Sequence, residues 1–141
     1  MADLTKRIAT SSRKVKQIEI NGLLIQVVRC HGSDKTVTVD LIITNNEDDK
    51  GVRLISHDQS CLFDGNGNRA GASLAKLANV VDSSWDGAGI AMISGVPTKA
   101  SLEFQGVSPD ADTIVRLDIR LYESVRNGQF TVSFRNLTIE R

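Results

Sequence analysis

Lys35-Thr-Val-Thr-Val-Asp-Leu-Ile-Ile-Thr44 decides the fold class of this chain. Val37, Val39, Leu41 and Ile43 share one side of an extended backbone, and Thr36, Thr38, Asp40 and Thr44 take the other. Alternation of this kind marks a strand with one face in a core and one in water, because successive side chains of a strand point to opposite faces. The run ends in Asn45-Asn-Glu-Asp-Asp-Lys-Gly51, whose turn-forming residues predict a solvated loop.

The pattern recurs toward the C-terminus. Val115, Leu117, Ile119 and Leu121 alternate with Arg116, Asp118, Arg120 and Tyr122; Phe130, Val132 and Phe134 alternate with Thr131, Ser133 and Arg135. Arg126-Asn-Gly128 lies between them, and Asn-Gly is a strong hairpin signal because both residues accept positive φ. Shorter β-rich runs are Val15–Ile20, Leu23–Cys30, Val52–Ser56, Ser60–Phe63 and Ala100–Val107. Their spacing of about 8–15 residues suits a sandwich or barrel. One stretch breaks the period: Leu74, Leu77, Ala78 and Val81 sit at i, i+3, i+4 and i+7, which predicts a short helix or helical turn over 72–81. The expected fold is an all-β, immunoglobulin-like antiparallel sandwich over residues 15–141, with one helical turn and a basic, flexible arm over 1–14.

Composition narrows the function. The 141 residues fit one domain, and 40% hydrophobic residues suffice for a core without metal or disulfide staples. No apolar run is long enough for a membrane helix, and the first 16 residues lack the apolar segment of a secretory signal. A mature, exported chain and an intracellular or virion one both fit. Formal charge is zero overall but unevenly placed. Lys6, Arg7, Arg13, Lys14 and Lys16 stand against Asp3 alone, so the remainder is correspondingly acidic. Without interleaved aromatics the arm is a weak nucleic-acid signal, and a solvated tail is the favoured reading.

The residues of a catalytic site do not assemble in the sequence. His31 and His57 both adjoin turns, and no Gly-x-Ser-x-Gly elbow, Walker loop or Cys-x-x-Cys pair is present. Asp64, Asn66 and Asn68 take the first three odd positions of a calcium loop, but Arg69 stands where Gly belongs and Ala75 where the closing Glu belongs, so a plain turn is expected. No metal or other cofactor is expected. Cys30 and Cys61 are either a disulfide in an oxidising compartment or two buried thiols. Trp85, the sole tryptophan, lies between Asp82 and Asp86 in an expected loop. Loops on a rigid β scaffold carry most function, so these three are the candidate ligand-contacting residues.

Thr36-Val-Thr-Val-Asp-Leu-Ile-Ile-Thr-Asn-Asn46, followed by Leu62-Phe-Asp64-Gly65-Asn-Gly67, resembles the strand and turn elements of bacterial extracytoplasmic immunoglobulin-like domains. Ala100–Phe104 and Gln129–Asn136 are similar to the strands that complete such sandwiches. The stretch 72–95 is longer and more helical than that pattern. The resemblance implies a non-enzymatic interaction or structural module of the cell envelope, with a protein partner or a second copy, and transfers no functional residue. Two alternatives stand beside it. One is an assembly subunit of a virion or the cell interior, reaching a neighbour through the basic arm. The other is a small-ligand or carbohydrate binder using the Trp85 loop.

Overall fold

The computed structural model describes residues 16–84 and 87–141, and among them every regular element is a strand. In chain order these are β1 (Lys16–Ile20), β2 (Leu23–Ser33), β3 (Thr36–Asn45), β4 (Lys50–Ile55), β5 (Cys61–Asp64), β6 (Arg69–Leu77), β7 (Val80–Asp82), β8 (Ala88–Met92), β9 (Thr98–Gln105), β10 (Thr113–Glu123) and β11 (Gly128–Glu140).

β2, β3, β9 and β6 follow one another in one layer. In the other layer β11 and β10 pair along their length, and the far edge of β10 carries β5 and then β4. Two strands join the layers. The start of β6 pairs with β5, and the end of β11 runs parallel to β2 at Cys30 and His31. The ring β2-β3-β9-β6-β5-β10-β11 is thereby closed by seven strands. β1 extends the edge of β2, β7 that of β6, and β8 that of β4. Closure removes most exposed strand edges, each a row of unpaired amides and carbonyls.

The inward residues are mostly those that alternation selects; Val115 is the exception, exposed because the register of β10 shifts between Ile114 and Arg116 and buries Ile114 in its place. Val37, Val39, Leu41 and Ile43 of β3 and Leu117, Ile119 and Leu121 of β10 are buried, and Phe104 is the largest fully buried side chain. Full burial of such a side chain contributes about 1.5–3 kcal/mol.

Residues 72–81 are not helical. β6 bulges between Ala72 and Leu74, so its inward residues become Ala72, Ala75 and Leu77. Ala78, at φ 56°, turns the chain into β7. A bulge adds one residue to a period of two, and the turn then resets the phase. Together they place apolar residues at helical spacing along an extended chain. Asn45–Gly51 also departs from a solvated loop, since Asn45 and Lys50 are buried. The Asn-Gly hairpin forms with Asn127, at φ 49°, as the residue of positive φ before β11.

A break in the edge beside β10 is bridged by a side chain. Between β4 and β5 the chain turns out at His57 and Asp58, both at positive φ. This would strand the Arg120 amide. Ser60 Oγ accepts that amide at 2.9 Å and donates to the Ile55 carbonyl at 2.5 Å, so one buried hydroxyl satisfies both ends of the gap.

Candidate functional site

Along the closed side of the ring, β5 and β6 are joined by only three residue pairs. Beyond them the layers part: β6 continues with β7 on its edge, and β10 continues with β4 and β8. β7 and β8 each pair with one neighbour, so each offers one free edge. An open cleft of about 760 Å³ lies here, lined by residues of β4, β7, β8 and the end of β10. Its walls are polar and small-sided: Gly51, Gly87, Gly89 and Ala91 contribute almost no bulk, with Val80, Asp82 and Tyr122 around them. Gly87 is at φ 79°, and a Cβ there would press on the Leu54 carbonyl at 2.7 Å, so that position requires glycine.

Asp82 lies on this cleft. Its carboxylate accepts the Ser84 hydroxyl at 2.7 Å, and that bond, with backbone amides of Ser83, Ser84 and Gly87, holds its pKa below the usual carboxylate value against a small desolvation. Arg53 lies over the Tyr122 ring at 5.7 Å, forming a cation–π contact on the same wall. Trp85 and Asp86 lie outside the described residues, as do Lys6, Arg7, Arg13 and Lys14 of the basic arm. Lys16 is described, and its ammonium donates to the carbonyls of Arg135 and Asn136.

The remaining candidates are spread apart. Asp64 Oδ1 accepts the amides of Asn66 and Asn68, each at 2.9 Å, so the carboxylate folds back onto its own turn. Cys30 and Cys61 are both free. Cys30 is packed in the core on β2, whereas Cys61 is an outward residue of β5 opposite Asp118. They lie on opposite faces of the barrel wall, and no disulfide joins them. Burial, aided by the charges of Asp40 and Glu140, pushes the Cys30 thiol up to about 12. Burial also raises Cys61, with Asp118 adding to it and Arg69 and Arg116 opposing. Neither is a ready nucleophile. His31 Nε2 lies 3.1 Å from Asp40 Oδ2 on the outer face, remote from His57 in the β4–β5 turn.

Two further charged groupings went unforeseen in the sequence. The first closes one end of the barrel. Lys50 Nζ, nearly buried, donates to Glu123 Oε1 at 3.0 Å, Glu47 Oε1 at 2.6 Å and the Asn21 carbonyl at 2.8 Å. Arg126 donates to Glu47 Oε2 at 2.8 Å and Glu123 Oε1 at 3.1 Å, and its backbone amide to Glu123 Oε2 at 2.7 Å. Hydrogen bonds from Arg126 and then Lys50 hold Glu47 down to about 2. Burial pushes Glu123 up, but its bonds to Lys50 and the Arg126 amide, with both cationic charges, outweigh this and lower it. The second grouping is a set of outward arginines on β6, β10 and β11.

No known protein family and no curated protein matches the sequence. Among solved structures the chain is similar to self-complemented MyfA, the major subunit of Myf fimbriae from Yersinia enterocolitica, in complex with galactose. The TM-score is 0.46 at 15% identity, covering 91% of this chain and 98% of that one. It is also similar to the CooA pilin subunit from enterotoxigenic Escherichia coli, with TM-score 0.37 and 16% identity over 79% of this chain and 86% of that one. Likeness at this level bears on neither the activity nor the partners of this chain.

Proposed function

We propose that this chain is a non-enzymatic structural or interaction module that receives an extended segment of a protein partner along β7 or β8. The observation that carries the reading is the pair of free strand edges bordering an open, small-sided cleft. A free edge offers a ladder of backbone groups, and a partner strand gains main-chain hydrogen bonds by completing it. Gly51, Gly89 and Ala91 leave room for a backbone to approach. The order β2-β3-β9-β6 in one layer and β11-β10-β5 in the other supports the immunoglobulin-like reading, since it reproduces the two-layer strand order of such sandwiches. A cell-envelope location, with a second copy as one partner, belongs to the same proposal through the resemblance of Thr36–Asn46. Carbohydrate binding at the Trp85 loop stays as a second reading, because Asp82 lies on this cleft.

Amide hydrogen exchange tests the proposal. Peptides covering each strand of this chain and residues 1–15 are added in turn, and the protein itself is concentrated. Protection gained at Val80–Asp82 or Ala88–Met92, and lost in Val81→Lys, is the expected result. Unchanged exchange at both edges under every condition would sink it.

A further inference from the structure

A row of residues crosses the outer face of the β10–β11 layer. Arg135 of β11 stands opposite Arg116 of β10, Arg116 opposite Phe63 of β5, and Phe63 opposite Arg69 of β6. Three strand spacings give the row a length of about 14 Å. Arg120 lies four residues further along β10. Three carboxylates lie near the row: Asp118 pairs with Arg116 at 2.9 Å, Asp58 of the β4–β5 turn stands 3.9 Å from Arg69, and Glu140 at the far end of β11 pairs with Arg29. Arg120 donates to Gln129 Oε1 at 3.1 Å and Thr131 Oγ1 at 2.8 Å, so its charge is met by neutral groups. Arg135 is exposed and has no carboxylate partner among the described residues.

This arrangement works against the fold. Like charges directly opposite on adjacent strands are destabilising. The Arg116 guanidinium stacks on the Phe63 ring at 4.7 Å, yet its Nε is buried and meets no acceptor. Local costs of this kind are expected where a surface serves a partner. Four guanidinium forks on one face match planar oxyanions, which accept two parallel hydrogen bonds from each fork.

We propose that this face binds an acidic polysaccharide, whose carboxylates meet Arg69, Arg116 and Arg135. Uncharged polar residues beside the row favour a uronic-acid polymer, which offers hydroxyls between its carboxylates, over a phosphate polymer. Asp118 is already engaged, accepting Arg116 at 2.9 Å and the Ser133 hydroxyl at 2.7 Å. Thr131 and Gln129 accept Arg120 through their oxygens and keep their own donors for sugar oxygens, and Ser133 Oγ, which donates to Asp118, can still accept a sugar hydroxyl. The surface is independent of the β7–β8 cleft: on β10, Arg116 is six residues, about 20 Å, from Tyr122 at the cleft wall.

The test titrates the full chain with polygalacturonate, with neutral dextran and with single-stranded and duplex DNA, following heat and its dependence on salt. Polygalacturonate binds, dextran does not, and salt weakens the complex. Arg116→Gln with Arg135→Gln lowers affinity at least tenfold, while Arg135→Lys, which keeps the charge and loses the fork, lies between. Unfolding midpoints confirm that the variants fold. The proposal is overturned if polygalacturonate does not bind, or if duplex or single-stranded DNA binds more tightly. It is equally overturned if Lys6→Gln with Arg7→Gln removes the binding and the face variants do not, because the arm is then the site.

Discussion

The two charged groupings use the same chemistry to opposite ends. At the barrel end, Lys50 and Arg126 face Glu47 and Glu123, two cations against two anions, with the buried ammonium satisfied by three oxygens. On the β10–β11 face, guanidiniums stand beside guanidiniums, and one buried donor has no acceptor. The first grouping ties the β1–β2 turn, the β3–β4 loop and the β10–β11 hairpin into one end. The second makes contacts only between neighbours: Arg116 with Asp118 and Phe63, Arg120 with Gln129 and Thr131, and Arg69 with Asp58. Balance and burial mark charge used for architecture; imbalance and exposure mark charge left available to a partner.

The largest effect comes from unbalancing the end cluster. Glu123 is fully buried, and Glu123→Gln leaves Lys50 with a weaker partner inside the protein. Breaking one side of a buried pair costs about 3–5 kcal/mol. Denaturant unfolding should show a fall of that order, and a loss below about 1 kcal/mol would mean that the cluster is solvated and the contrast false.

Acid attacks the same cluster without mutation. The folded-state values of Glu47 and Glu123 lie below their unfolded values, so their contribution is fully present above the unfolded carboxylate range of about 4.3. It is lost as pH falls from there through the folded value of Glu47, about 2. Stability measured from pH 6 to 2.5 should drop in that window, and Glu47→Gln with Glu123→Gln should flatten the drop. An unchanged slope in the double variant would assign the acid loss to other carboxylates.

Strand pattern was legible where each residue had one neighbour on each side and no bulge. β3, β10 from Arg116 onward and β11 as far as Arg135 follow alternation. β6 was misleading because the bulge at Ala72–Leu74 and the turn at Ala78 each shift the phase. β7 and β8 are too short, and too rich in Gly and Ala at β8, to announce themselves. Lys50 looked like a solvated loop residue because its main partner, Glu123, is 73 positions away. Asp82, which lies three residues before Trp85, lines the cleft. The arginine row depends on the register of four strands, which no local window contains.

Replacing both members of the buried pair should cost less than replacing one. Lys50→Met with Glu123→Leu removes the two desolvated charges together, and well-packed apolar substitutes for buried ion pairs are often near neutral. Glu47 keeps Arg126 as a partner. A double-mutant cycle should therefore give a favourable coupling, with the double variant more stable than either single one. Simple additivity would show that the two side chains do not act as a pair.

The smallest stability effect is expected on the arginine face. Arg135→Thr removes one of two opposed guanidiniums and puts a good strand former on an exposed position. The relief is worth about 0.2–1 kcal/mol, so the variant should unfold at the same denaturant concentration or slightly higher. Polygalacturonate affinity should fall in the same protein. Those two results together separate a residue kept for a partner from one kept for the fold, because a structural arginine would lose both. A drop in stability above about 1 kcal/mol would place Arg135 with Lys50 and Glu123, and the distinction between the two groupings would no longer hold.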